Sequence, residues 1–262
     1  MVPMRKLIIG LVSLLALALV IDFGVAAYSE YRVSRAIREG GDLTSDPQVT
    51  IHGFPFLTQA AEGKYQNVEV RAQDVPNDYV GSTTIEANLR GVSIPLSDLA
   101  DGSVQTVPVD KLDGRVRIEA TDLGRFLGIV DLQVSAPPAD KSDGTGGSGG
   151  SGKTTNGGVV LTGTVPVGPV ETEVSVQADL ILDGDRVSIV ATDFYFGPEG
   201  SADFTIPDFA KSAVLGLFTK TIDRQTLPFG VLPTDVYAEG SQIVIEGSAE
   251  NVTIDLDQIE KP

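Results

Sequence analysis

Val170-Glu171-Thr172-Glu173-Val174-Ser175-Val176-Gln177-Ala178-Asp179-Leu180-Ile181-Leu182 is the stretch that decides the fold class. Val170, Thr172, Val174, Val176, Ala178, Leu180 and Leu182 alternate with Glu171, Glu173, Ser175, Gln177 and Asp179. A period of two predicts a strand with one apolar face. At ~3.3 Å per residue the run extends about 43 Å, far beyond a usual strand. Asp183-Gly184-Asp185 then supplies hairpin chemistry, and Val187 to Phe196 predicts the returning strand.

Working outward, the same alternation recurs. Val68, Val70 and Ala72 alternate with Glu69, Arg71 and Gln73, and Ile85, Ala87 and Leu89 with Glu86, Asn88 and Arg90. The phase slips at Gly91, after which Val92, Ile94 and Leu96 continue on the other parity. A one-residue slip at a glycine inside a strand predicts a β-bulge; without it the second half would turn its apolar side to water. Helices are few. Short ones are expected over Pro55–Ala61 and Thr121–Leu127, with Thr121 or Asp122 as cap. A longer one is expected over Asp208–Arg224, where Phe209/Ala210, Ala213/Val214, Leu217/Phe218 and Ile222 form an apolar stripe of period 3.6. The pattern therefore predicts a mostly β, α+β protein: a long, strongly curved antiparallel sheet wrapped around one amphipathic helix.

Residues 137–158 stand apart. Pro137-Pro138 leads into Gly, Ser, Asp, Lys and Thr with nothing to bury, a flexible loop by composition. Val130–Ser135 and Val159–Val165 on either side read as strands, so the segment is expected to be a disordered hairpin tip inside one sheet. Gly144-Thr145-Gly146-Gly147-Ser148-Gly149 meets the letter of the dinucleotide fingerprint but lacks the strand, helix and acidic residue its mechanism needs.

The amino end sets the compartment. Arg5 and Lys6 precede an uncharged apolar run, Leu7–Ile21, which Asp22 interrupts and Phe23–Ala27 resumes. That length is enough to cross a ~30 Å hydrocarbon core, and the positive flank keeps the amino end in the cytoplasm. Val25-Ala26-Ala27 offers small residues for a signal peptidase, whereas Tyr28–Glu39 has no breaker and reads as a helix running on, which favours an uncleaved anchor. Residues 1–39 are thus an anchor or a signal segment with a helical extension. After a polar joint with Gly40, Gly41 and Pro47, residues 40–262 form a single exported domain. It is a single-pass membrane protein with this domain outside the cytoplasm, or a periplasmic or secreted one after cleavage.

Composition narrows the chemistry. There are no cysteines, hence no disulfide or thiolate chemistry, and a chain of this size buries a core without such staples. The 19 basic and 36 acidic residues become 17 and 35 once Arg5, Lys6 and Asp22 are set aside, a net charge of −18. Nucleic acid is excluded as a partner, because phosphate neutralisation needs clustered Lys and Arg. His52 is the one histidine and reads as a hydrogen-bonded residue at a strand end. It cannot supply a multi-histidine metal site or, without a Gly-x-Ser-x-Gly elbow, a hydrolase triad. The acidic residues fall on strand faces and turns, where they are solvated. No catalytic residue, metal or cofactor is expected.

The apolar residues carry more. In Ile51-His52-Gly53-Phe54-Pro55-Phe56-Leu57-Thr58-Gln59 a glycine permits a tight turn, Pro55 suits the first turn of a short helix, and Phe54, Phe56 and Leu57 form a wedge. Phe194, Phe196, Phe209, Phe218 and Phe229 fall near turns or on the amphipathic helix. Core packing accounts for such residues; so does the lining of an apolar cavity left between a curved sheet and a helix.

Val49–Gln59, the Gly63-Lys64-Tyr65 that follows, the apolar amino-terminal segment, and Leu227-Pro228-Phe229-Gly230-Val231-Leu232-Pro233 leading into strands resemble the LmeA-like phospholipid-binding proteins of actinobacterial envelopes. The resemblance covers nearly the whole chain after the anchor. It implies a tubular fold similar to that of bactericidal/permeability-increasing proteins. It also implies phospholipid binding and a part in mannolipid (lipomannan-type) assembly. The chain departs from the pattern in its long Gly/Ser segment and in lacking a basic cluster for a headgroup.

The resulting expectation is a non-enzymatic phospholipid-binding protein tethered to the cytoplasmic membrane by its amino-terminal helix. Its apolar groove would be lined by Phe54, Phe56, Leu57, Phe194, Phe196, Phe209, Ala213, Val214, Leu217, Phe218, Ile222 and Phe229. The alternatives are a scaffold module with a filled core that holds envelope glycolipid-assembly enzymes, and a glycolipid-acting hydrolase built on clustered carboxylates.

Overall fold

The computed structural model describes residues 2–41, 43–77, 80–95, 97–98, 106–136, 157–167, 170–195, 208–222 and 227–255, the side chains of residues 2, 3, 208 and 209 excepted. Its elements run α1 (Val2–Gly41), β1 (Gln48–His52), α2 (Phe56–Glu62), β2 (Lys64–Asn77), β3 (Gly81–Ser93), β4 (Thr106–Glu119) and α3 (Ala120–Leu127). Then come β5 (Gln133–Ser135), β6 (Gly158–Val167), β7 (Val170–Asp183), β8 (Arg186–Phe194), α4 (Asp208–Leu217), β9 (Lys220–Ile222), a 3-10 turn (Pro228–Gly230), β10 (Asp235–Glu239) and β11 (Gln242–Asp255). The protein is α+β and mostly β. Where one sheet was expected there are two, ordered β1-β2-β3-β4-β11-β10 and β5-β6-β7-β8-β9.

The chain divides into two compact units. One comprises residues 1–72, 86–112 and 249–261, the other residues 73–85 and 113–248. Strands β2, β3, β4 and β11 contribute a stretch to each.

The strand grammar of the sequence is realised. Along β7, Val174, Val176, Ala178 and Leu180 are buried while Glu173, Gln177 and Asp179 are exposed. Gly184, with φ +64, closes the hairpin to β8. A bulge in β8 lies opposite the Gln177/Ala178 step: Gln177 faces Asp193 and Ala178 faces Ala191. The extra residue switches parity, so that Val187 and Ile189 are buried and then Phe194 is. Gly91 does the same in β3, with φ +65 between buried Leu89 and buried Val92. Its side of the strand is occupied, because a Cβ there would overlap the Asp110 carboxylate. Asp74 in β2 and Asn251 in β11 also adopt positive φ, a conformation these two residue types tolerate better than most. β5 and β6 pair antiparallel, Ser135 opposite Val160, so the Gly/Ser segment joins neighbouring strands; its residues 137–156 lie outside the described ones.

The helix expected over Asp208–Arg224 ends at Leu217. Phe218 and Thr219 donate backbone hydrogen bonds to Leu215 and Gly216, three residues back, which tightens and closes the last turn. Lys220–Ile222 then pairs with β8, Ile222 opposite Val187. Ile222 thus continues the apolar stripe by parity of a strand. The β-branched Thr219, Thr221 and Ile222 favour extended backbone, and an open sheet edge was there to receive them. α4 packs against β6 and β8.

Candidate functional site

Within the first unit, polar contacts join the amino-terminal helix to β1 and α2. α1 runs unbroken for 40 residues. Its apolar side chains from Leu7 to Ile21 are exposed, and it is long and apolar enough to cross a membrane. Asp22, the one charge inside the apolar run, is 5% exposed. Its Oδ2 accepts the Phe56 N–H at 2.9 Å and its Oδ1 the Leu57 N–H at 2.8 Å. These are two of the donors that a helix start leaves without partners. α2 has no cap of its own: Pro55 occupies the cap position, with φ −73 and ψ 142, and offers no side-chain acceptor. The expectation of Pro55 inside the first turn is therefore shifted by one residue, and the cap comes from a different helix. One residue along, the Phe23 ring stacks on Phe54, with centroids 6.0 Å apart. Farther along α1, Glu30 Oε1 accepts the Ile51 N–H at 2.8 Å and Ser34 Oγ donates to the Pro47 carbonyl at 2.6 Å.

Beside α2 lies a pocket of about 280 Å³. Phe54, Pro55 and Thr58 line one side and Gln59 and Glu62 continue it along α2. Lys64, Tyr65 and Gln66 of β2 line the other, and Gly91 completes it. Gln59 and Tyr65 are 6% and 3% exposed. Gln59 Oε1 accepts the Gln66 N–H at 2.9 Å, which fixes the amide so that Nε2 is the donor left over. Gln59 Nε2 and Tyr65 Oη are both buried without a hydrogen-bond partner, and a buried polar group in that state costs about 1–3 kcal/mol. Burial raises the Tyr65 phenol above its ordinary value near 10, so it remains a protonated donor. The glycine of the Gly53-Phe54-Pro55-Phe56 run follows from the same packing. Gly53 has φ +107, and a Cβ on it would lie 2.8 Å from Gln59 Nε2.

The wedge residues divide. Phe56 is buried against Tyr65; Phe54 and Leu57 are 58% and 42% exposed. His52 ends β1 exposed, with Nε2 3.2 Å from Glu69 Oε2. Among the described residues no group of three or more His, Asp or Glu side chains could hold a metal ion.

The other predicted lining residues fall in the second unit. Val214, Phe218 and Ile222 are buried at 2%, 0% and 1% exposure, and Phe194 at 9%. Ala213 and Leu217 are exposed and Phe229 is half-buried, with φ +59. Phe196 and the Phe209 side chain lie outside the described residues. Leu227-Pro228-Phe229-Gly230-Val231 folds back on itself, the Leu227 N–H donating to Val231 O at 3.3 Å. Gly247 makes room for this turn, since a Cβ there would overlap the Leu232 carbonyl oxygen and lie 2.7 Å from Leu227 Cδ1. The structure thus splits the predicted set into a wedge at the start of α2 in the first unit and a group on β8, on α4 and after α4 in the second. Asp22, Gln59, Lys64 and Tyr65 are among the residues that the predicted set lacked. Their signals were present: a single carboxylate in an apolar run, and polar residues inside the two motifs that carried the resemblance.

A mostly antiparallel α+β protein with a long apolar helix at its amino end and a pocket beside the short helix which that helix caps is the class that these features define. The chain belongs to the LmeA-like phospholipid-binding family, whose profile matches residues 20–248. The matched stretch begins just before Asp22. Among curated proteins, the type III pantothenate kinase of Desulfotalea psychrophila (strain LSv54 / DSM 12343) is 28% identical over 113 residues, 43% of this chain and 40% of the kinase. The chain therefore spans less than half the length of that relative. No solved structure matches it significantly.

Proposed function

We propose that the chain is a non-enzymatic phospholipid-binding protein, held at the cytoplasmic membrane by an uncleaved α1. Its β units lie on the outer side, where it assists lipid or mannolipid (lipomannan) assembly or transport in the cell envelope. The observation that carries this reading is the family match over residues 20–248, which takes in the α1–α2 junction and both sheets. Three features support it. Arg5 and Lys6 precede the apolar run, as the positive-inside rule requires for an exported carboxyl-terminal part. Cleavage after Ala27 would remove Asp22 and Phe23, stripping α2 of its cap, which favours an anchor over a signal peptide. The exported part carries a net charge of −18, 17 basic against 35 acidic residues, which keeps it soluble and repels it from anionic surfaces, leaving α1 as the main membrane attachment.

A scaffold module for envelope glycolipid-assembly enzymes is the second reading. It draws on the burial of Val214, Phe218 and Ile222, side chains that behave as filled core. One experiment separates the two. The full chain is purified from membranes and its extracted lipids and intact mass are measured by mass spectrometry. Phospholipid retained in stoichiometric amount on a chain that keeps residues 1–27 supports the proposal; lipid at the level of a detergent-only control refutes it and leaves the scaffold.

A further inference from the structure

We infer that the pocket beside α2 is the headgroup subsite for a phosphodiester lipid drawn from the outer leaflet, with Phe54 and Leu57 inserted among the acyl chains beside it. This rests on the phospholipid-binding reading and adds where, and by which atoms, the lipid is held.

The depth follows from the helix. With Arg5 and Lys6 at one interface, α1 rises about 22 Å from Leu7 to Asp22 at ~1.5 Å per residue. A hydrocarbon layer is ~30 Å thick, so Asp22 stands roughly 8 Å short of its far side. A carboxylate at that depth needs partners, and Asp22 has them in the α2 N–H groups. The capping contact that satisfies Asp22 therefore draws the start of α2 down with it. Phe54 and Leu57, large apolar residues that the protein leaves exposed, then face lipid rather than water, and Phe54 continues the exposed apolar surface of α1 through its stack on Phe23.

The chemistry follows from the pocket. Phe54 and Pro55 belong to its lining, so it begins at the inserted residues and continues toward Lys64. Two of its lining residues keep a buried group without a partner, Gln59 Nε2, a donor, and Tyr65 Oη, a hydroxyl that can donate, and Lys64 adds a cation. Two unsatisfied donors beside a cation favour an oxygen-rich anion. Glu62 also lines the pocket, and Asp110 lies behind Gly91. Two carboxylates oppose a dianion, whereas a singly charged phosphodiester whose head carries an ammonium or hydroxyl group gives Glu62 a donor of its own. A volume of about 280 Å³ suits a headgroup and leaves the acyl chains outside.

The test uses the full chain in detergent micelles. The ligands are short-chain phosphatidylethanolamine and phosphatidic acid with the same acyl chains, with inorganic phosphate as a control. Tyr65→Phe removes one donor and keeps the ring against Phe56. Gln59→Glu keeps the acceptor for the Gln66 N–H and replaces the free donor with an anionic oxygen. Each is expected to weaken phosphatidylethanolamine binding about tenfold or more. Phosphatidic acid should bind more weakly than phosphatidylethanolamine, and inorganic phosphate should not displace either lipid. The protein has no tryptophan, so Phe54→Trp introduces a single reporter. In vesicles it should be quenched by lipids brominated on the acyl chain and shielded from aqueous iodide. Wild-type affinity in both donor variants, displacement of lipid by inorganic phosphate, or quenching by iodide would each overturn the subsite while leaving lipid binding intact. A wild-type chain that binds neither lipid sinks the phospholipid-binding reading along with it.

Discussion

Replacing Asp22 by leucine tests the junction on which the membrane reading depends. Leucine is as apolar as its neighbours in α1 and as good a helix former, so the span itself is preserved. What is lost is the acceptor for the Phe56 and Leu57 N–H groups, bound at 2.9 and 2.8 Å. The Phe56 donor is buried and, as the first N–H of α2, has no acceptor within its own helix. Hydrogen bonds to a charged group contribute about 1.5–3 kcal/mol each. Taking the low end, because Leu57 is only partly buried, gives a loss of about 3 kcal/mol in the local stability of α2. At 1.4 kcal/mol per factor of ten this is roughly a hundredfold faster hydrogen exchange at the α2 amides. Asp22→Asn keeps one acceptor oxygen, so its effect should be about tenfold. The assay is exchange on the full chain in micelles, read by mass spectrometry over peptides containing 54–62, with β7 peptides as the reference that does not change. Exchange over 54–62 within twofold of wild type in the leucine variant would refute the cap.

Three further outcomes are expected. Gly53→Ala places a Cβ 2.8 Å from Gln59 Nε2 at φ +107, a conformation only glycine adopts freely, and should cost about 1–3 kcal/mol in chemical denaturation. Phe218→Ala empties a site that is 0% exposed and should destabilise by about 3–5 kcal/mol, whereas Leu217→Ala, at 39% exposure, should cost under about 1 kcal/mol; equal losses would refute the ending of α4. Asp131 accepts both the Thr164 N–H and the Thr164 hydroxyl, which holds its carboxyl below the ordinary 3.8. Its contribution to stability is therefore full above that unfolded value and lost as pH falls through the lower folded one. Asp131→Asn should flatten the acid limb of a stability–pH curve below about pH 4, and an unchanged limb would count against the contact.

The candidate site was half legible in the sequence. Gly53, Phe54, Phe56 and Leu57 announced themselves as a glycine turn followed by a greasy run, and the structure gives each a reason. Gln59 and Tyr65 sat in the same motifs, yet nothing local separates a polar residue that is buried and unpaired from one that is solvated. The stripe through Phe209, Val214, Phe218 and Ile222 was read as one helix because period 3.6 and burial coincide there. The chain changes from helix to strand at Thr219 because β8 had an unpaired edge, which lies outside the segment itself.

By itself the sequence determined the alternating strands, their change of face at Gly91, the apolar amino-terminal helix and the chemistries that one histidine and no cysteine exclude. All of these are set by which side chains must leave water, and alternation along the chain records that directly. Tertiary structure alone decided which group caps α2, which atom of the Gln59 amide is left over, and where α4 stops. Asp22 and Phe56 are 34 residues apart. A hydrogen bond across that separation leaves no periodic trace, because periodicity encodes burial, while a partner is fixed only when the folded chain brings a donor to an acceptor.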